Sequence, residues 1–427
     1  MRTYDTYKDS GISWLGQIPS HWELKTLRNF LIPFSLKGFP ELQMLSVTRE
    51  QGVILRDMER ESNHNVIPED LSGYKVVHRG QFVINKMKSW QGSYGVSKFE
   101  GIVSPAYFVY DLNIANKDFF HIALRSRAYI PFFMQFSKGI RVDQWDLSPI
   151  ALKSIPFVLP TPSEQEAIVA YLDSATAEID KAIASQQRMV ELLQERKQII
   201  INQAVTQGLN PDAPMKPTNI DWLPKIPSHW DLRRLKYLLK SPLQYGANES
   251  PESTDTNLPR YIRITDIKDN GKLNDDSFVS LSWEKAKDYL LQKGDILFAR
   301  SGATVGKTYL FEEQYSSCFA GYLIKARCND GLLPEFLYIF TKSGVYDKWK
   351  ESIFIKSTIQ NIGADKYSNL PVPFPPYDEQ KAIVEYIEST ISPVNSAISR
   401  CEHIIALLTE RKQILINDVV TGKIKVS

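Results

Sequence analysis

The sequence predicts an α+β protein: two β-rich domains with flanking helices in pseudo-twofold tandem, joined by two long helices that pair as an antiparallel coiled coil. Three observations carry this. Ile18-Pro19-Ser20-His21-Trp22 recurs letter for letter as Ile226-Pro227-Ser228-His229-Trp230, a shift of 208 positions (226 − 18). Leu192-Leu193-Gln194-Glu195-Arg196-Lys197-Gln198-Ile199 returns as Leu407-Leu408-Thr409-Glu410-Arg411-Lys412-Gln413-Ile414, a shift of 215 (407 − 192). Between these anchors, each half carries a run of short β-type segments that aligns poorly with the other. Solenoid and propeller units repeat every ~20–50 residues, so this is a duplicated module with a constant scaffold and a diverged centre.

Each half opens with Trp14-Leu15 or Trp222-Leu223, then a segment whose Ser20/Glu23 and Ser228/Asp231 spacings fit a capping box. Apolar residues at Trp22, Leu27 and Phe30, and at Trp230, Leu235 and Leu238, then predict a short helix. Strands are expected at Lys75-Val76-Val77, Gln81 to Ile84 and Ala106 to Tyr110. In the second half they fall at Tyr261 to Ile264, Asp295 to Ala299 and Gly321 to Ala326. Helical patches follow near residues 117–137 and 333–350.

The long helices come last in each half. The first is expected from Ser163, with Glu166 completing a capping box, to about Gln207; its stripe is Ile168, Leu172, Ala175, Ile179, Ala182, Met189, Leu193, Ile200 and Ala204. The second is expected from Asp378, striped by Ile383, Ile387, Val394, Ile398, Cys401, Ile405, Leu408, Leu415 and Val419. A helix of about 43 residues spans roughly 65 Å, longer than one domain core needs. Packing the two stripes together buries both. Pro393 predicts a kink that the first copy, with Glu178 in register (393 − 215), lacks. Pro211, Pro214 and Pro217 predict a stiff linker between the halves.

Bulk properties narrow the function. At 427 residues, 43% hydrophobic and 23% charged, the chain is an ordinary soluble protein large enough for several cores. Its 51 basic and 49 acidic residues leave a net charge of +2, so no global basic field is present. Cys318, Cys328 and Cys401 form no CxxC pair, which excludes a disulfide framework and a zinc ribbon. No apolar run reaches membrane-spanning length and no signal peptide opens the chain, so a cytoplasmic, non-membrane protein is expected.

The catalytic motifs are defective. Gly302 to Thr308 resembles a phosphate-binding loop but has three residues between its first glycine and Gly306 where four are needed, and Thr308 to Phe311 reads as extended. Phe374-Pro375-Pro376-Tyr377 resembles an amino-methyltransferase motif, yet Phe374 has no acceptor for the amine. No HExxH or GxSxG is present, and His21 and His229 repeat as packing or capping positions. The chain reads as non-catalytic, with no metal and no cofactor of its own.

Binding chemistry remains. The diverged centres interleave basic, amide and aromatic residues in glycine-bearing loops. In the first half these are Lys86, Lys88, Trp90, Gln91, Ser93 and Tyr94, then Arg141 and Gln144. In the second they are Gln244 and Tyr245, then Arg300, Ser301, Thr304 and Lys307, then Lys356, Ser357, Thr358 and Gln360. Arg and Lys suit guanine edges and phosphates, Gln suits adenine, and Ser and Thr suit phosphate oxygens. Solvated loops over a β-core fit the composition equally well.

The arrangement resembles the specificity subunit of type I restriction–modification enzymes over essentially the whole chain. The likeness rests on the twin Ile-Pro-Ser-His-Trp segments, on Gly294 to Gly302, on Asn85 to Ser93, on Glu164-Gln165-Glu166-Ala167-Ile168 and Glu379-Gln380-Lys381-Ala382-Ile383, and on both Leu-Leu-x-Glu-Arg-Lys-Gln helices. Pro393 has no match in the family pattern. The resemblance implies a first target-recognition domain (1–162), a central spacer helix (163–208), a linker and second recognition domain (209–377) and a C-terminal spacer helix (378–427). Each domain would read one half of a bipartite, asymmetric site in double-stranded DNA, with the coiled coil setting the gap. Two adenine-N6 methyltransferase subunits and two translocating nuclease subunits would assemble around it, holding S-adenosylmethionine and ATP with Mg. A duplicated adaptor whose loops bind protein is the alternative.

Overall fold

The computed structural model describes residues 2–57, 68–139, 145–251, 253–268, 271–302, 304–313, 315–354 and 361–426. The chain divides into two compact units: Met1–Gln187 with Glu402–Ser427, and Arg188–Cys401. Strands β1 (Leu31–Phe34), β2 (Phe82–Ile84), β3 (Tyr94–Val96) and β4 (Phe108–Leu112) build the first unit's central sheet. Strands β5 (Gln244–Tyr245), β6 (Ile296–Ala299), β7 (Thr308–Leu310) and β8 (Leu323–Ala326) build the second's. The principal helices are α1 (Lys117–Leu124), α2 (Ile130–Phe136), α3 (Pro162–Gln207), α4 (Pro334–Phe340), α5 (Gly344–Phe354) and α6 (Tyr377–Val420).

Both sheets are antiparallel and share one strand order, β1-β4-β2-β3 in the first and β5-β8-β6-β7 in the second. Phe82 faces Tyr110 on one side and Val96 on the other; Ile296 faces Ala326 and Leu310 in the same way. This register matches Phe82 to Ile296, Lys86 to Arg300 and Tyr94 to Thr308, a shift of 214 (300 − 86). Side chains alternate across a strand, so Phe82 and Ile84 join a core with Phe119, Phe120 and Phe157, while Val83 joins Leu45, Val47 and Val109. In the second unit Ile296 and Phe298 meet Phe336, Leu337 and Phe340, and Leu297 meets Tyr309 and Phe319. Both central strands are buried on both faces, which is why they read as continuous apolar runs.

Three expectations are corrected. The Ile-Pro-Ser-His-Trp segments lead into strands, not helices: Glu23–Thr26 pairs with Pro156–Leu159, and Asp231–Arg234 with Pro371–Phe374, both antiparallel. Single 3-10 turns, Leu27–Asn29 and Leu235–Leu238, follow. The pairing partner lies far along the chain, so no local pattern reveals it. The proline-rich linker is partly a strand: Met215–Ile220 pairs with Leu223–Pro227 in a two-stranded ribbon, where Pro217 costs little. The cap of α3 is Thr161, not Ser163. Glu164 Oε2 accepts from Thr161 N at 3.1 Å, and Pro162 takes the first helical position.

Helix α3 runs for 46 residues and α6 for 44, and α6 continues through Pro393. In the first unit, Ile168 and Leu172 share a core with Val419, Val420 and Ile424, and further along Lys412 Nζ lies 2.7 Å from both Asp180 carboxylate oxygens. In the second, Ile201, Ala204 and Val205 share a core with Ile383, Val384, Ile387 and Ile391, and Lys197 Nζ donates to Asn395 Oδ1 at 2.8 Å. Within each unit the two helical segments therefore run in opposite directions. Ile168, Leu172, Ile383 and Ile387 are buried; Ile179, Leu193, Ile200, Ile398, Leu408 and Leu415 are half-buried, and Met189 is exposed. Among the described residues no helix is long and apolar enough to cross a membrane, and no cluster of three His, Cys, Asp or Glu could hold a metal.

Candidate nucleic-acid interface

The repeated motifs build a latch that fixes each Ile-Pro-Ser-His-Trp segment to a long helix. His21 Nε2 lies 2.9 Å from Glu164 Oε1, and the fully buried Trp22 donates its indole N–H to the same oxygen at 3.1 Å. His229 and Trp230 meet Glu379 Oε2 at 2.8 and 3.0 Å. Burial alone would push Glu164 up, but the hydrogen bonds from Trp22, His21 and Thr161 outweigh it and hold the carboxyl down at about 2. The next residue clamps the helix to the loop before α1 or α4. Gln165 accepts from Asn116 N and donates to Pro160 O, while Gln380 accepts from Leu333 N and donates to Gly331 and Pro375 carbonyls. Sequence reading missed these roles, although the Glu-Gln pair repeats at a shift of 215 (379 − 164). The histidines are oriented by carboxylates that also hold the neighbouring tryptophans.

Beyond this frame, each sheet offers one matched loop. It leaves the end of β2 or β6 and returns to β3 or β7, and it spans 86–92 in one unit and 300–306 in the other. Its outgoing end is tied identically, Leu147 N donating to the Lys86 carbonyl at 3.2 Å and Ile362 N to the Arg300 carbonyl at 2.8 Å. Both loops close on a glycine in the left-handed region, Gly92 at φ 96° and Gly306 at φ 82°. Aligning residues 82–96 with 296–310 at a shift of 214 shows this equality in the sequence itself.

In the first loop, Lys86 Nζ pairs with Asp146 at 2.9 Å, Lys88 is exposed, Gln91 is half-buried, and Trp90 packs against Trp145 with ring centroids 5.4 Å apart. Ser93 is buried. Tyr94 belongs to the core instead of the surface: it is fully buried, stacks on Phe133 at 4.0 Å and donates its hydroxyl to Leu124 O. The alternation that makes Tyr94 part of β3 turns its ring inward. In the second unit the Arg300 guanidinium lies 4.9 Å above the Tyr245 ring, whose hydroxyl accepts from Ala364 N, and Gln244 donates to Asp288 O. Ser301 bridges to Asn361, Thr304 is exposed, and Lys307 Nζ donates to Ile267 O. Among the described residues, Arg300 Nε and Asn361 Oδ1 have no hydrogen-bond partner. Arg141, Gln144, Lys356, Ser357, Thr358 and Gln360 lie outside the described residues.

The structure adds cations that sequence reading passed over. Burial, then Lys37 and Lys86, lowers Lys75, whose ammonium donates to Tyr107 O. Near the second loop, Lys307, Lys342 and Lys350 line a cleft of about 400 Å³ with Thr304, Thr308 and Asp347. Burial, then the charges of Lys307 and Lys350, pushes Lys342 down to about 8. Asp347 is paired with Lys350 at 2.7 Å, so the cleft carries more positive than negative charge.

Known proteins are similar to this chain. Residues 227–400 match the family described as the type I restriction modification DNA specificity domain. The chain is 23% identical over 321 residues to the EcoKI specificity subunit of Escherichia coli K12, covering 72% of this chain and 65% of that relative. It is 25% identical over 308 residues to the Escherichia coli EcoBI specificity subunit (68% and 63%), and 22% identical over 297 residues to the MjaVIII specificity subunit of Methanocaldococcus jannaschii (64% and 63%). Residues 227–400 are thus similar to the type I specificity domain, and the chain as a whole is similar to type I specificity subunits. These matches span just under two thirds of the relatives' lengths. A chain from a structural study of complex assembly and conformational transition in the type I R-M system shares the fold, with a TM-score of 0.68 and 16% identity over 95% of this chain and 99% of that one.

Proposed function

We propose that this chain is a type I specificity subunit that reads one half of a bipartite, asymmetric DNA site with each unit and performs no chemistry itself. The observation that carries the reading is the pair of matched loops, equal in length and tethering, filled with different side chains: Lys86, Lys88, Trp90 and Gln91 against Arg300, Ser301 and Thr304. A homodimeric reader presents identical surfaces and so favours palindromes; a duplicated and diverged one frees the half-sites to differ. Exposed Lys88 and Thr304 suit phosphate oxygens, and Arg300 stacked on Tyr245 is a preorganised donor for guanine or phosphate. Gln91 and Gln244 belong to the same reading surfaces; Arg141, Gln144, Lys356, Ser357, Thr358 and Gln360 enter the reading from the sequence alone.

On this reading residues 1–162 and 209–377 are the recognition domains, and 163–208 and 378–427 form an antiparallel coiled coil that sets the spacer. The relatives are named as specificity subunits of restriction enzymes, which supports a division of labour with the chemistry on partners. Two methyltransferase subunits would supply the S-adenosylmethionine site and the pocket for an extruded adenine, and two restriction subunits the ATP- and Mg-dependent cleavage. Work on chromosomal DNA would place the complex in the cytoplasm. The test is to express the chain with its methyltransferase partner and map methylated adenines genome-wide. A two-part motif with a fixed unspecified gap is expected. Methylation without a bipartite motif, or methyl transfer by the purified chain alone, overturns the reading.

A further inference from the structure

The two loops are held at their returning ends by the same device built from different side chains. The clamps Asn116 N to Gln165 and Leu333 N to Gln380 align α1 with α4 at a shift of 217 (333 − 116). That shift puts Arg125 on Lys342 (342 − 125). Arg125 Nη1 donates to the carbonyl of Tyr94 at 2.7 Å, and Lys342 Nζ donates to the carbonyl of Thr308 at 3.0 Å. Tyr94 and Thr308 are the matched first residues of β3 and β7. The carbonyl of the closing glycine is also taken in both units: Gly92 O by Arg125 Nη1 at 3.1 Å, Gly306 O by the Tyr346 hydroxyl at 3.0 Å.

We propose that Arg125 and Lys342 are positioning residues for sequence recognition, each aiming its unit's loop by gripping the backbone where the loop rejoins the sheet. This rests on the reading of those loops as DNA-reading elements. The constant feature is the pair of carbonyls; the donors differ between the units, so it is the geometry that both halves keep. Because the grip is on main-chain oxygens, the loop side chains can change without disturbing it. Arg125 extends the device. Its Nη2 donates to the carbonyls of Arg49 and Glu50 at 2.7 and 2.8 Å, so the turn at 49–50 and the loop at 86–92 are tied to one planar guanidinium. Lys342 reaches its carbonyl across the Tyr338 ring, 4.4 Å away, and among the described residues no carboxylate forms an ion pair with it.

The test uses the full chain in complex with its methyltransferase partner. Affinity is measured for the mapped site and for every single-base change in both half-sites, for wild type, Arg125→Lys, Lys342→Met and Lys342→Arg. Arg125→Lys should flatten base discrimination about tenfold in one half-site, the worth of about one hydrogen bond to a charged group, and leave the other unchanged. Lys342→Met should do the same in the opposite half-site, and Lys342→Arg should keep the wild-type profile. A purely structural role predicts equal loss at both half-sites, and that result overturns the proposal. Amide hydrogen exchange is the second readout. In Arg125→Lys, exchange at 86–93 should quicken while α1 keeps its protection; unchanged loop exchange overturns the grip itself. A wild type that prefers no bipartite site would instead overturn the DNA reading, whatever the exchange result.

Discussion

Replacing Glu164 by alanine should be one of the most damaging single changes outside the apolar core. One carboxylate oxygen accepts from Trp22 and lies beside His21, and the other takes both the N–H and the hydroxyl of Thr161. Alanine leaves the buried indole N–H of Trp22 without an acceptor, at about 1–3 kcal/mol. It also removes the reciprocal half of the α3 cap, about 1 kcal/mol more. The total is about 2–4 kcal/mol, which for a unit of this size lowers the melting temperature by roughly 4–16 °C. Glu379→Ala should cost about 1 kcal/mol less, because Pro376 stands where Thr161 stands and offers neither N–H nor hydroxyl. The effect also has a pH signature. Glu164 titrates lower in the folded protein than in the unfolded chain, so its contribution is complete above about 4.5 and is lost as pH falls towards about 2. Calorimetry of wild type, Glu164→Ala and Glu379→Ala at pH 7, repeated at pH 3, measures all of this. The reasoning fails if Glu379→Ala is the more damaging of the two, or if the Glu164→Ala deficit does not shrink at pH 3.

Arg300→Ala or Lys307→Ala should weaken DNA binding by the complex and lower the slope of log affinity against log salt by about one for each phosphate left unneutralised; unchanged affinity in both would remove the loop from the interface. Deleting one heptad from both α3 and α6 should shift the methylated motif to a new spacer with both half-sites intact, and a change of half-site bases would show that the helices are not a ruler. Burial, with Arg125 and Lys98, pushes His121 down to about 4 while its Nδ1 accepts from Val96 N. Between about pH 6.5 and 4 the unfolded chain binds this proton and the folded one does not, so stability should fall over that window as pH drops. His121→Gln should flatten the fall, as read from melting temperatures at pH 4.5 and 7.

Local periodicity made much of this molecule legible. The long stripes located α3 and α6 within a residue or two, because an apolar face recurring every three or four residues admits one regular structure. The buried central strands announced themselves as apolar runs, and the extended reading of Thr308 onward agrees with β7. What escaped was non-local. Glu23–Thr26 looks like a helix start because capping letters are also common strand flanks, and only its partner at 156–159 decides. Glu164 and Glu379 were visible as a repeated pair but silent about role until Trp22 and Trp230 arrived beside them. The equal loops were hidden because 208 and 215 were the shifts in view, while the sheet repeats at 214. Arg125 carries no motif; its importance is the set of carbonyls that tertiary structure brings within reach.

The first unit is completed by residues that follow the second in the sequence, Glu402–Ser427. Val419, Val420 and Ile424 fill its core, Tyr7 donates to the Gly422 carbonyl, and Lys425 N donates to Arg2 O. The second unit, Arg188–Cys401, is one continuous stretch. During synthesis the later-begun unit can therefore close as soon as it leaves the ribosome, while the earlier-begun one waits with an apolar seam open until residues 402–426 emerge. Order of translation and order of maturation are reversed, and the interval of waiting is where chaperones would be needed most.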